Sequence, residues 1–219
     1  MADVEVRYTL VPVEMRTTAG HKSIGGYAAK FAKLSENLGG FVERIDPAFF
    51  NKAKGDGWQG VVCRYNHKDE FLLGSSGSRT LRLQVDSVGL DYEVDPPDSR
   101  KDVMELVSRG DVSKSSFTFD QAQSEWGLSD QGYPMRTLMT GRLVDVAPCH
   151  AGIAAYKDTS VGLRSLAEQF GADFEEVRTL AESNELRKFF IRTDPSTKKT
   201  VLAASAMLEL QAKRHDPYE

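Results

Sequence analysis

The chain has 219 residues, 40% of them hydrophobic, with 28 basic and 32 acidic side chains and a net charge of -4. That is enough apolar material for one good core, and the interspersed charges create no broad field to attract nucleic acid or an anionic membrane surface. No stretch approaches the length of apolar residues that spans a bilayer, and the start Met1-Ala2-Asp3-Val4-Glu5 lacks the basic and apolar regions of a secretory signal, so a soluble intracellular protein is expected. The two cysteines, Cys63 and Cys149, fit a reducing compartment, where an isolated disulfide would be unusual.

Val4, Val6, Tyr8 and Leu10 alternate with polar residues, the period of a half-buried strand. Residues 25–31 read as a second strand and 41–45 as a third, with Asp46-Pro47 placed to cap and begin a short helix. Further strands are predicted at 60–65, 81–85 and 90–94, the last two forming a hairpin around 86–89. Asp98 or Ser99 can cap a helix through Val103, Leu106 and Val107, which Gly110 is suited to end. Strands at 112–119 and 135–147 follow, joined by a polar surface loop broken by Gly127, Gly132 and Pro134. Beyond Ala155 the spacing becomes helical, through Val161, Leu163, Leu166, Ala167 and Phe170, then Phe174, Val177, Leu180, Ala181 and Leu186. Thr193-Asp194-Pro195-Ser196 interrupts this run before a last amphipathic helix at 201–213. The predicted fold class is α+β, with a mainly antiparallel, β-barrel-like core and flanking helices in one domain over 1–157, and a helical C-terminal extension over 158–219.

Two short segments carry the reactive residue types. Tyr65-Asn66-His67-Lys68-Asp69 supplies an imidazole that titrates near neutrality, and 112–119 supplies hydroxyls that need such a base to become nucleophiles. Ser115 and Ser116 are adjacent, so in a strand they face opposite ways and only one can meet His67. A serine–histidine pair works best with a third group that orients the imidazole; Asp145 and His150 are the contenders. Asp145 sits within the apolar run Leu143-Val144-Asp145-Val146-Ala147, where an unpaired carboxylate is costly to bury, so it needs a partner such as His67, Arg64 or Arg142. Cys63, His67, Cys149 and His150 include zinc-ligand types, but their spacing matches no compact zinc motif, and buried inert cysteines are the expectation; no metal or other cofactor is called for. Gly74-Ser75-Ser76-Gly77-Ser78 lacks the Gly-Lys ending of a nucleotide loop and reads as a hairpin tip. Phe71, Leu72 and Leu73 read first as core residues, and the acidic Glu175, Glu176, Glu182 and Glu185 of the tail oppose DNA binding.

In order along the chain, Gly26-Tyr27, Asn66-His67, Asp86-Ser87-Val88-Gly89-Leu90, Ser116-Phe117-Thr118-Phe119 and Leu143-Val144-Asp145-Val146-Ala147-Pro148 resemble the pattern of the phage prohead proteases, enzymes related in fold to the herpesvirus assemblins. The resemblance spans roughly residues 20 to 155, and Thr118 stands where that family often has glycine. It implies a serine endopeptidase with Ser116 as nucleophile, His67 as general base and Asp145 as the orienting acid, with His150 as the stand-in if the assemblin arrangement applies. It also implies cleavage of scaffold and major capsid proteins, and of the chain itself, in the assembling procapsid within the host cytoplasm. Self-association or docking through the helical extension is expected, with neither nucleic acid nor membrane as a partner. The alternative is a non-catalytic assembly or scaffold protein that keeps the fold.

Overall fold

The computed structural model describes residues 4–9, 11–18, 20–150 and 159–191. Its strands are β1 (Glu5–Thr9), β2 (Glu14–Thr18), β3 (His21–Lys30), β4 (Val42–Ile45), β5 (Val62–Arg64), β6 (Leu72–Ser75), β7 (Leu81–Val85), β8 (Gly89–Val94), β9 (Val112–Leu128) and β10 (Pro134–His150). Among them run α1 (Asn51–Gly55) and α2 (Lys101–Arg109), and after them α3 (Ser160–Phe170), α4 (Phe174–Glu182) and α5 (Lys188–Ile191). The α+β class and the mainly antiparallel pairing hold. The strands form two sheets, one ordered β1-β9-β10-β5-β6 with β4 also on β10, the other β2-β3-β8-β7, and no closed barrel occurs among the described residues.

The core lies between the two sheets because strand alternation sends one face of each inward. Phe117, Phe119, Leu143 and Val146 of the first sheet meet Ile24, Leu90, Tyr92 and Val94 of the second. Phe49 and Phe50, just before α1, fill the layer edge-on against Phe117 and Phe119. The predicted β7–β8 hairpin is present, and Gly89 is where β8 crosses closest to β3: a Cβ there would collide with the Ala29 carbonyl. Gly110 ends α2 with φ +84°, the left-handed cap expected of glycine.

Three local expectations are corrected. Asp46 accepts from the Ala48 N–H at 2.8 Å and so caps a turn; α1 begins only at Asn51. Neither Asp98 nor Ser99 caps α2, because 98–100 form a 3-10 turn and the cap position falls on Arg100. The predicted surface loop after 119 is instead strand: β9 continues to Leu128, β10 resumes at Pro134, and only a tight turn with Gly132 at φ +70° joins them. Alternation resumes in this arm in the opposite phase, after an extra β9 residue at 121–122 where Gln121 has φ 51°: Gln121, Gln123 and Glu125 are exposed while Ala122, Ser124 and Trp126 turn inward.

The arm carries a second, smaller core. Trp126 stacks edge-on against Phe41 at 4.8 Å, and α3 and α4 cover the pair with Leu163, Leu166, Val177 and Ala181. The Trp126 indole N–H donates to Ser165 Oγ at 3.0 Å. The break at 193–196 and the helix expected at 201–213 lie outside the described residues.

Beneath this arm sits a buried charge network. Arg136 of β10 is fully buried and donates to both Glu5 oxygens and to Glu43, while Arg7 of β1 bridges the same two carboxylates. Burial pushes the Glu5 carboxyl up, but the two guanidinium groups hold it below its ordinary 4.5. The network ties β1 and β4 to opposite edges of the β9–β10 pair. Arg136→Met removes one of two positive charges and leaves a buried carboxylate uncompensated, so denaturant unfolding should register a loss of about 3–5 kcal/mol.

Candidate active site

Two irregularities of backbone build the site. The first follows β5, whose polypeptide turns through Asn66 and His67, both in the left-handed region at φ 54° and 58°. Two successive non-glycine residues there cost on the order of 1–3 kcal/mol each, and Asn and His tolerate the region better than most. The turn is held by Lys68 N–H donating to the Tyr65 carbonyl at 3.2 Å and by Asn66 Oδ1 accepting from the His150 backbone N–H at 3.2 Å. His67 is thereby aimed back across the sheet.

The second is a bulge in β10. Leu143 pairs with Phe119, yet Asp145 pairs with Thr118, so Val144 is an extra residue in the ladder. Without it, Asp145 would share the inward face of Leu143; the bulge turns Asp145 outward, onto the face of Ser116 and Thr118. Alternation also decides between the serines. Ser115 points into the core, where its Oγ lies 3.2 Å from the Tyr92 hydroxyl, and Ser116 points the other way.

On that outer face the three sequence-predicted residues meet. His67 Nε2 lies 2.6 Å from Ser116 Oγ, and His67 Nδ1 lies 2.8 Å from Asp145 Oδ1. A carboxylate can only accept, so Nδ1 carries the imidazole proton and Nε2 is free to accept from the serine. Ser116 Oγ is also 2.8 Å from the Arg7 carbonyl of β1, a competing acceptor for its single proton. The Tyr8 ring stands edge-on to the imidazole at 6.1 Å. Ser116 is fully buried and the His67 side chain only 13% exposed, so the groups converge without forming a wide cleft. His150 sits at the exposed end of β10; the group against His67 Nδ1 is Asp145.

Asp145 is fully buried. Burial raises its carboxyl, but hydrogen bonds from His67 and Thr118 and the positive charge of Arg64 outweigh this and hold it below 3.8. The sequence names Arg64 only as a possible ion-pair partner of Asp145 and does not single out Thr118 for the site. Thr118 Oγ1 lies 2.9 Å from His67 Nδ1, and its position two residues after Ser116 on the same strand face was the available signal. The cysteines stay apart from this chemistry: both are buried, and burial pushes the Cys149 thiol up to about 12 and the Cys63 thiol well above its ordinary value. Leu73 is core, as expected, while Leu72 is exposed and Phe71 lies under the Arg100 guanidinium at 4.7 Å.

A hydroxyl, an imidazole and a carboxylate in hydrogen-bonded series are the working parts of serine hydrolases. The sequence profile of the caudovirus prohead serine proteases matches residues 10–171, and the chain belongs to that family. It is a protease of phage capsid maturation, a role that places it with the components of the assembling procapsid in the host cell. Searches of curated proteins and of solved structures gave no match. No described helix is long and apolar enough to cross a membrane.

Because the folded state holds Asp145 below its unfolded value of 3.8, ionised Asp145 contributes stability above that pH and loses it as pH falls through the lowered value. The stability difference between the native chain and Asp145→Asn, measured by denaturant titration, should therefore shrink steadily as pH drops below 3.8.

Proposed function

We propose that Ser116 attacks the scissile carbonyl of a peptide bond while His67 Nε2 takes its proton and later delivers it to the leaving amine. Asp145 fixes the imidazole tautomer and stabilises the imidazolium as it forms. The observation that carries this reading is the unbroken series Ser116 Oγ, His67 Nε2, His67 Nδ1, Asp145 Oδ1, at 2.6 Å and 2.8 Å. Its members come from the paired strands β9 and β10 and from the turn after β5, which lies remote from them in sequence. Asp145 is a neighbour of equal weight, since a fully buried carboxylate demands partners and has His67 among them.

The substrates, on this reading, are the scaffold and major capsid proteins of the procapsid, with the chain cleaving itself as well. The barrel-like character expected of the core would lie in the way the two sheets enclose one aromatic layer. The helical region from residue 158 is assigned docking or self-association. Since α3 and α4 spend their apolar stripes on Phe41 and Trp126, that role would fall to outward faces bearing residues such as Arg178, Glu175 and Glu182.

The test is cleavage of purified scaffold and capsid proteins, with sequencing of the new termini. Ser116→Ala should abolish cleavage and Ser115→Ala, altered only in the core, should retain it. Asp145→Asn should lower kcat by ~10⁴, through the wrong imidazole tautomer, while His150→Ala should change it little. A native chain that cleaves neither partner, with Ser116→Ala assembling procapsids as well as the native protein does, would instead mark a non-catalytic assembly protein.

A further inference from the structure

Asp145 has two carboxylate oxygens, and the catalytic reading uses one. Oδ1 faces His67; Oδ2 accepts from Arg64 Nε at 2.7 Å and is also in contact with the guanidinium NH2 nitrogen. Arg64 is the last residue of β5, and β5 runs parallel to β10 with Val62 opposite Asp145 and Cys63 opposite Val146. Alternation along β5 keeps Cys63 in the core and turns Arg64 to the outer face, where the β10 bulge has placed Asp145, while the extra residue in the β5–β6 pairing is Leu73 of β6. The far nitrogen of the same guanidinium pairs with Asp69, an exposed carboxylate on the loop after His67. Arg64 therefore spans from a fully buried acid to a solvent-exposed one while remaining only 17% exposed itself.

We propose that Arg64 is a positioning residue that sets the pH range in which His67 can act as a base, a claim that rests on the protease reading above. Two effects combine. With Oδ2 held by Arg64 and Oδ1 by His67, the carboxylate cannot rotate, so the imidazole ring is presented in a single orientation. Arg64 also changes the charge balance: Asp69 lies in solvent, where its charge is screened, so the buried Asp145 and Arg64 form a neutral pair, and protonating His67 adds a positive charge beside it. Where the carboxylate faced His67 alone, that protonation would complete a neutral ion pair. Arg64 thus opposes the imidazolium, and His67 keeps its basic, proton-free form to lower pH.

The charged and titratable surroundings of His67 are few. Its own loop carries Lys68 and Asp69, β10 carries Asp145, β5 carries Arg64, and β1 presents the Tyr8 ring while the Arg7 guanidinium is turned away to Glu5 and Glu43. From β9 come the hydroxyls of Ser116 and Thr118, with Lys114 further along near Cys149, and the thiols of Cys63 and Cys149 are neutral behind the sheet. Arg64 and Asp145 are therefore the pair whose charges bear most directly on the imidazole.

The experiment follows the rate at which a fluorophosphonate phosphonylates Ser116 as a function of pH, which reads activation of the hydroxyl without requiring a peptide substrate. The imidazole titration of His67 is followed in parallel by NMR in a Ser116→Ala background. Arg64→Gln keeps a hydrogen-bond donor and removes the charge; the acid limb of the rate profile and the imidazole midpoint should both move up by about 1 pH unit. Arg64→Lys should restore both. Asp69→Asn, at an exposed site, unmasks the Arg64 charge and should move both the other way, which supplies the measurement if Arg64→Gln does not fold. A fall in rate with neither limb nor midpoint displaced would assign Arg64 a purely structural role and overturn the proposal. Absence of labelling in the native chain would overturn the protease reading, leaving the NMR midpoints to judge Arg64.

Discussion

The antiparallel pairing of β9 with β10 is the constraint on which the rest of the structure depends. It brings Ser116 and Asp145 onto neighbouring strands, and the one-residue bulge at Val144 puts them on the same face. A regular ladder would have buried Asp145 among Phe119, Leu143 and the rest of the aromatic layer, where a carboxylate has no partners and pays the full cost of desolvation. The bulge exchanges that position for one served by His67, Thr118 and Arg64. Strand periodicity thus acts at this site as an address, and a single inserted residue changes it.

The same pairing organises the periphery. Along one edge of β10, β4 runs parallel to its first half and β5 to its second, so one strand both anchors the buried charge network and receives the strand that delivers Arg64 and His67. At the opposite edge β1 pairs with β9 directly beside Ser116, placing the Arg7 carbonyl on the hydroxyl and Tyr8 against the imidazole. Arg7 and Glu5 each contribute one charge to the network around Arg136, so the strand is neutral in itself and leaves a balanced Glu43–Arg136 pair behind it. Beyond the site, the β9–β10 arm reaches out to form the base on which α3 and α4 build their small core.

Buried ionic groups are used here in two distinct ways. Around Arg136, two arginines and two glutamates neutralise one another and fasten strands. Around Asp145, a guanidinium and an imidazole share one carboxylate. Only the second arrangement includes an imidazole, the side-chain type suited to taking up and passing on a proton.

Much was legible in the chain itself. A first strand, the turn residues around Gly89 and Gly110, and the helical spacing from Val161 to Leu186 follow from local periodicity and backbone preference, although β1 buries Glu5 and Arg7 where the alternation of Val4, Val6 and Tyr8 pointed to the other face. His67, Ser116 and Asp145 could be named as candidates because each residue type carries its chemistry wherever it stands. The β9–β10 arm reads as a loop from sequence because Gly127, Gly132 and Pro134 outweigh an alternation in which the inward residues, Ala122 and Ser124, are small or polar. What no local pattern could decide was the meeting itself: the left-handed pair Asn66-His67, the bulge at Val144, and the two donors, Thr118 and Arg64, that share Asp145 with the imidazole. Their roles depend on register between strands that are far apart in sequence, and register is set by how the whole sheet pairs and buries its faces.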